Sequence, residues 1–253
     1  MKVALISTPS TSGKTVLSFL LGCTWAKVMK TKSYHMTTGT FDEYFNLVPD
    51  IDVKMRGKTR ELRTALRSAS VESAESFATS FTTSGNYPVC EFTDPSSPEE
   101  KAEVLKGFAA LLPSITSLVL VEINNNADLE DNIAVINACN VALVLCRPIM
   151  GEYDAYKKIL EKYKVEIPAF PLLTQLNPLT VTKKELDIWF PEKYFTFSYN
   201  PAIQKFINKR KADMLIDAII KVDFGTQTIR QELHNILARI YHPTKIPEVS
   251  RWS

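Results

Sequence analysis

Short apolar runs and longer mixed segments take turns along the chain as far as residue 241. The runs Val3–Ser7, Ser33–Thr37, Pro88–Phe92, Ser117–Ile123, Val141–Cys146, Ala169–Thr174 and Tyr194–Phe197 have the length of strands. Several lack polar alternation, as strands covered on both faces do. Between them, helical patterns run over Thr15–Met29, from about Arg56 to Phe81, and over Pro98–Leu112, Leu129–Ala138, Glu152–Tyr163, Lys183–Trp189, Pro201–Lys209 and Thr226–Tyr241. This alternation predicts an α/β fold with a single doubly wound, mainly parallel sheet and helices on both faces. One domain spans residues 1–253, with a helical insertion around 50–85, basic and strand-poor in its KMRGKTRELRTALR stretch, and a C-terminal helix over 226–241.

Composition adds exclusions. A chain of 253 residues with 45% hydrophobic and 23% charged residues is long enough to bury a sizeable core. Its net charge of +2 provides no global attraction to nucleic acid or an acidic membrane, so either partner would need a local patch. Cys23, Cys90, Cys139 and Cys146 lie far apart in apolar surroundings without C-x-x-C spacing, and read as reduced core residues. The apolar run before Pro9 is too short for a signal-peptide core, and no run of 18 apolar residues occurs. The expected location is cytoplasmic. His35, His234 and His242 are dispersed and suggest neither a metal site nor a triad.

The first strand leads into Ser7-Thr8-Pro9-Ser10-Thr11-Ser12-Gly13-Lys14-Thr15 and at once into the apolar helix VLSFLL. A strand, a turn of small residues and Gly-Lys-Thr at a helix start form the context a phosphate cradle requires. The backbone from Ser10 to Val16 offers N–H groups, Gly13 permits close approach, Lys14 bridges outer phosphates, and the Thr15 hydroxyl ligates Mg²⁺. Thr8 replaces the first glycine of the full G-x-x-x-x-G-K-[ST] pattern. The competing reading is a Ser/Thr-rich helix cap.

Together with later landmarks, this turn resembles the ParA/MinD family of P-loop ATPases with a deviant Walker A motif. The landmarks are Arg147-Pro148 after the fifth strand, Leu-Leu-Thr-Gln-Leu-Asn177-Pro178 after the sixth, and Tyr199-Asn200-Pro201-Ala202 before a helix. The resemblance implies a P-loop NTPase-like fold, ATP and Mg²⁺ as cofactors, and slow hydrolysis in a switch that positions or segregates DNA or a cell-envelope assembly. It implies a homodimer and an adaptor or cargo protein. Arg147, Asn177, Tyr199 and Pro201 would flank adenine, although Asn177 also reads as a turn residue before Pro178. The family's signature lysine would fall at Pro9, and its paired glycines at Ser10 and Thr11. Without that lysine, a non-hydrolysing scaffold becomes the alternative. A P-loop kinase or synthetase is a third class, disfavoured by the later landmarks.

Two carboxylates complete the expected site. Asp94, in Cys90-Glu91-Phe92-Thr93-Asp94-Pro95, closes the third strand where a Mg²⁺-side ligand belongs, with Glu91 as the weaker choice and a plain turn as the bland one. Asp42, in Thr38-Gly39-Thr40-Phe41-Asp42-Glu43, occupies the region where the family orients the attacking water; a solvated helix start explains it equally well. Lys205, Lys209, Arg210 and Lys211 form a basic cluster that the resemblance connects with non-specific DNA, against a solvated helix end. The apolar stripe Ile229, Leu233, Ile236, Leu237 and Ile240 reads as packing on the domain in preference to membrane attachment.

Overall fold

Seven of the apolar runs form strands in the computed structural model, which describes residues 1–9, 13–29, 33–38, 89–91, 109–110, 118–177, 180–209, 212–221 and 226–241. In chain order the described elements are β1 (Lys2–Ser7), α1 (Lys14–Met29), β2 (Ser33–Thr37), β3 (Val89–Glu91), β4 (Leu118–Glu122), α2 (Leu129–Asn137) and β5 (Val141–Cys146). They continue with α3 (Glu152–Lys162), β6 (Ala169–Leu176), α4 (Lys183–Trp189), β7 (Phe195–Ser198), α5 (Pro201–Asn208), α6 (Ala212–Lys221) and α7 (Gln227–Ile240). The expected insertion around 50–85 lies outside the described residues. So does most of the helix expected over Pro98–Leu112, of which Ala109 and Ala110 are helical.

The strands make one seven-stranded sheet in the order β3-β2-β4-β1-β5-β6-β7. Every pairing is parallel. Successive strand residues point to opposite faces, and both faces are covered. Val3 and Leu5 of β1, with Val141, Leu143 and Leu145 of β5, join the core beneath α1, α5, α6 and α7. Ala4 and Ile6, with Ala142, Val144 and Cys146, join the core beneath α2, α3 and α4. The uninterrupted apolar runs are the direct consequence of this two-sided burial.

From β1 the chain crosses one face through α1 to β2; from β4 onward it crosses the other face through α2, α3 and α4. The winding therefore reverses beside β1, where the loops after β1, β4 and β5 diverge, and this is where open α/β sheets bind ligands.

α6 has no counterpart among the expected elements. Its sequence ADMLIDAIIK buries Leu215, Ile216, Ala218 and Ile219 against α1 and α7. The preceding Lys209-Arg210-Lys211 run has the look of a helix end, which hides a second amphipathic helix that starts directly after it at Ala212. The stripe on α7 is buried on the domain: Ile229, Leu233, Ile236 and Leu237 are 1% exposed or less. Among the described residues no helix is long and apolar enough to cross a membrane. Cys23, Cys139 and Cys146 are free, buried thiols, and burial pushes all three well above the ordinary thiol range.

Candidate functional site

The end of β1 turns out of the sheet at Ser7 and Thr8, both buried, and the chain returns at Gly13. Gly13 has φ +101°, a conformation that L side chains rarely adopt, and its carbonyl accepts the first α1 bond from the Leu17 amide at 3.0 Å. That backbone sends Lys14 and Thr15 back over the strand ends. Lys14 Nζ donates to Ser7 Oγ at 2.9 Å, so the ammonium is folded across the mouth of the turn. Ser10, Thr11 and Ser12 lie outside the described residues; Val16 packs against the α1-side core.

Thr15 is buried and donates through Oγ1 to Glu122 Oε1 at 2.8 Å. Glu122 ends β4, next to β1 in the sheet, and its Oε2 lies 3.2 Å from Nε2 of His35, fully buried on β2. Burial raises the Glu122 pKa, but the His35 contact, the Thr15 hydroxyl and the Lys14 charge outweigh it and hold the carboxyl below the usual range. An ionised carboxylate that accepts a hydrogen bond from a neighbouring hydroxyl offers hard oxygen donors of the kind Mg²⁺ takes. The sequence reading missed Glu122. An acid closing a buried, apolar strand is the available signal, but the run Ser117–Ile123 by itself predicts only a strand. Asp94 and Asp42 lie outside the described residues.

Thr8, at the missing glycine, also has an explanation. Its amide donates to the Leu145 carbonyl at 3.0 Å and its hydroxyl donates to Glu152, a buried carboxylate in the first turn of α3. The backbone thus ties the turn to β5, and the side chain adds a tie to α3 that a glycine could not make. On the β4 side, the Thr38 amide donates to the Glu122 carbonyl at 3.0 Å, and Thr38 Oγ1 donates to Asn132 Oδ1 at 2.8 Å. The ends of β2 and β4 are locked together.

The expected adenine-side residues emerge from the opposite half of the same sheet edge. Arg147 follows β5 and is exposed; Asn177 follows β6 and is exposed, with its carbonyl accepting from the Thr180 and Val181 amides. Tyr199 follows β7, 58% exposed, and its amide donates to the Leu176 carbonyl at 2.9 Å, which puts it next to Asn177 along the chain ends. A bulge between Thr174 and Leu176, with Gln175 at φ 58°, re-aims the end of β6 just before Asn177. Asn200 caps α5 through Ala202, and Pro201 is its first residue. Lys205 and Lys209 are exposed at the far end of α5; Arg210 and Lys211 lie outside the described residues.

No protein-family model matches the sequence, and no curated protein matches it. Solved structures do match in shape. The MinC:MinD cell division protein complex of Aquifex aeolicus gives a TM-score of 0.63 at 10% identity, covering 94% of this chain and 95% of that one. The ParA family ATPase of Chlorobium tepidum gives 0.59 at 11% identity, covering 83% and 89%. The fold is ParA/MinD-like. A third structure of this fold, the septum site-determining protein MinD of Pyrococcus horikoshii complexed with Mg-ADP, gives 0.57 at 14% identity, covering 88% and 96%. At these identities the likeness resides in the path of the backbone.

Proposed function

We propose that this chain binds ATP with Mg²⁺ at the end of β1 and acts as a slowly hydrolysing, nucleotide-dependent switch that positions or segregates DNA or a cell-envelope assembly. The observation that carries the reading is the convergence of Lys14, Thr15 and Glu122 at one turn of a ParA/MinD-like fold. Lys14 bridges the outer phosphates, Gly13 and the backbone of residues 10–16 cradle them, and Thr15 with Glu122 holds the Mg²⁺ side. Bound Mg²⁺ would neutralise charge developing on the phosphates. Asp42 orients the attacking water, Asp94 is a further metal-side carboxylate, and Arg147, Asn177, Tyr199 and Pro201 border the base. Mg-ADP in the MinD of Pyrococcus horikoshii supports the choice of ligand.

The switch works as a homodimer that engages an adaptor or cargo protein. Lys205, Lys209, Arg210 and Lys211 would give it a non-specific DNA contact, with affinity falling steeply as salt rises. Gel shift of long duplex DNA tests this contact; no retardation at low salt, with or without ATP, removes it. Asp42→Ala tests the water-positioning role: hydrolysis should fall while ATP affinity stays near wild type, and an unchanged rate refutes that role.

A second reading has its own observation. Pro9 stands where the resemblance expects the signature lysine, so a non-hydrolysing scaffold is the alternative. Size measured by light scattering with and without ATP and Mg²⁺ separates the two. Dimerisation only with ATP supports the switch, and indifference to nucleotide supports the scaffold.

A further inference from the structure

On the α3 side of the turn after β1 lies a cleft of about 680 Å³ that shares Lys14 with the proposed nucleotide site and whose α3 wall that site leaves unassigned. Its walls are Pro9 and Lys14 on the turn, Asn125 and Asn126 after β4, and Lys158 and Lys162 on α3. Three ammonium groups and no carboxylate line it. A spacing of four puts Lys158 and Lys162 one above the other on the same helix face, where like charges repel.

Lys157, one residue away from Lys158, is neutralised by Glu192 at 2.8 Å. Lys158 has no ionic partner among the described residues, and Lys162 lies over the Tyr163 ring at 4.9 Å. The floor of the cleft is already ordered. Asn125 donates through Nδ2 to the Ser7 carbonyl at 3.2 Å, and the Asn126 amide donates to Asn124 Oδ1 at 2.9 Å. The Asn126 side chain is exposed and has no partner among the described residues.

A preformed cleft of ligand size, with two cations, Lys158 and Lys162, that have no carboxylate partner among the described residues, an open amide and no acid in its lining, is complementary to an anion. We infer that it holds a phosphate group, gripped by Lys158 and Lys162 and oriented by Asn126, beside the phosphates held at the turn. The inference rests on the proposed nucleotide site for its neighbour but not for its own cations. Two sources supply the same chemistry: the outermost phosphate of the bound nucleotide, or a separate phosphate. In the first case the chain itself brings cations to the side of the turn where Pro9 carries none.

Calorimetric titration of the full chain with ADP, a non-hydrolysable ATP analogue and inorganic phosphate tests this. Wild type is compared with K158Q/K162Q, both exposed positions, and with K157Q as a control that should change nothing. If the outermost phosphate is the occupant, the double variant loses about tenfold in affinity for the analogue and keeps its ADP affinity. If a separate phosphate is the occupant, both nucleotides bind as before, and inorganic phosphate binding to the ADP-loaded protein is lost. Unchanged binding of all three ligands overturns the inference. Should wild type bind no nucleotide, the proposed function fails, and phosphate titrated onto the nucleotide-free protein decides the cleft. Loss in the double variant supports it; equal binding, or none to wild type, overturns it.

Discussion

At the scale of single residues, the site depends on one backbone conformation and one largely buried carboxylate, Glu122. A Cβ on Gly13 would meet nothing within 4 Å, so Gly13→Ala is opposed by φ +101° rather than by crowding. The strain of about 1–2 kcal/mol should lower the melting temperature and weaken nucleotide binding together. A variant with unchanged stability would mean that the turn relaxes without cost. Glu122 yields a pH prediction. Its folded pKa is depressed, so the stability it contributes is present above the unfolded carboxylate pKa and lost as pH falls through the folded one. Glu122→Gln should therefore destabilise the protein at about pH 7 and do so by less near about pH 3, below the ordinary carboxylate pKa. Denaturant midpoints at the two pH values check this, and a gap undiminished in acid refutes it. Gly-Lys-Thr was legible in the sequence because its chemistry sits in consecutive residues. Glu122 was not, because it meets Thr15 across 107 positions, through a strand order that no local pattern encodes.

At the scale of elements, buried carboxylates tie helices to strand ends. Glu152 of α3 accepts from Thr8, so Thr8→Val would deprive a buried acceptor of a donor and should cost about 1–3 kcal/mol. Adding Glu152→Gln should recover part of the loss, because a neutral amide is cheaper to bury than a charge. Chemical denaturation of the single and double variants measures it, and additive losses would deny the coupling. Glu232 of α7 accepts from the Ser198 amide and hydroxyl at 2.8 and 2.7 Å, closing the edge of β7. Burial raises its pKa despite those bonds, so ionised Glu232 opposes folding at pH above its folded pKa. Glu232→Gln is expected to be at least as stable as wild type at about pH 7, with its advantage shrinking towards about pH 4 as wild type binds its proton. A Gln variant less stable at neutral pH contradicts this. Strand and helix positions were readable here from apolar periodicity, since two-sided burial leaves unbroken runs. The helix α6 was not separated from the basic run before it, and the bulge at Gln175 had no signal, being a positive φ at a residue other than glycine.

At the scale of the whole molecule, seven parallel strands bring residues from distant parts of the chain to one edge, with the proposed phosphate and Mg²⁺ contacts at β1 and β4 and the proposed base contacts beyond β5, β6 and β7. The α/β alternation made this architecture legible, whereas the order β3-β2-β4-β1-β5-β6-β7 depends on which faces the crossovers cover. The central claim is that the turn after β1 binds ATP with Mg²⁺. Its most direct test is the melting temperature of wild type and Lys14→Ala across an ATP titration with Mg²⁺ present. A ligand bound only by the native state stabilises by mass action, about 2.7 kcal/mol at a hundredfold excess over Kd. ATP bound at this turn raises the melting temperature of wild type and leaves that of Lys14→Ala flat; no rise in wild type, or an equal rise in both, contradicts the proposed site.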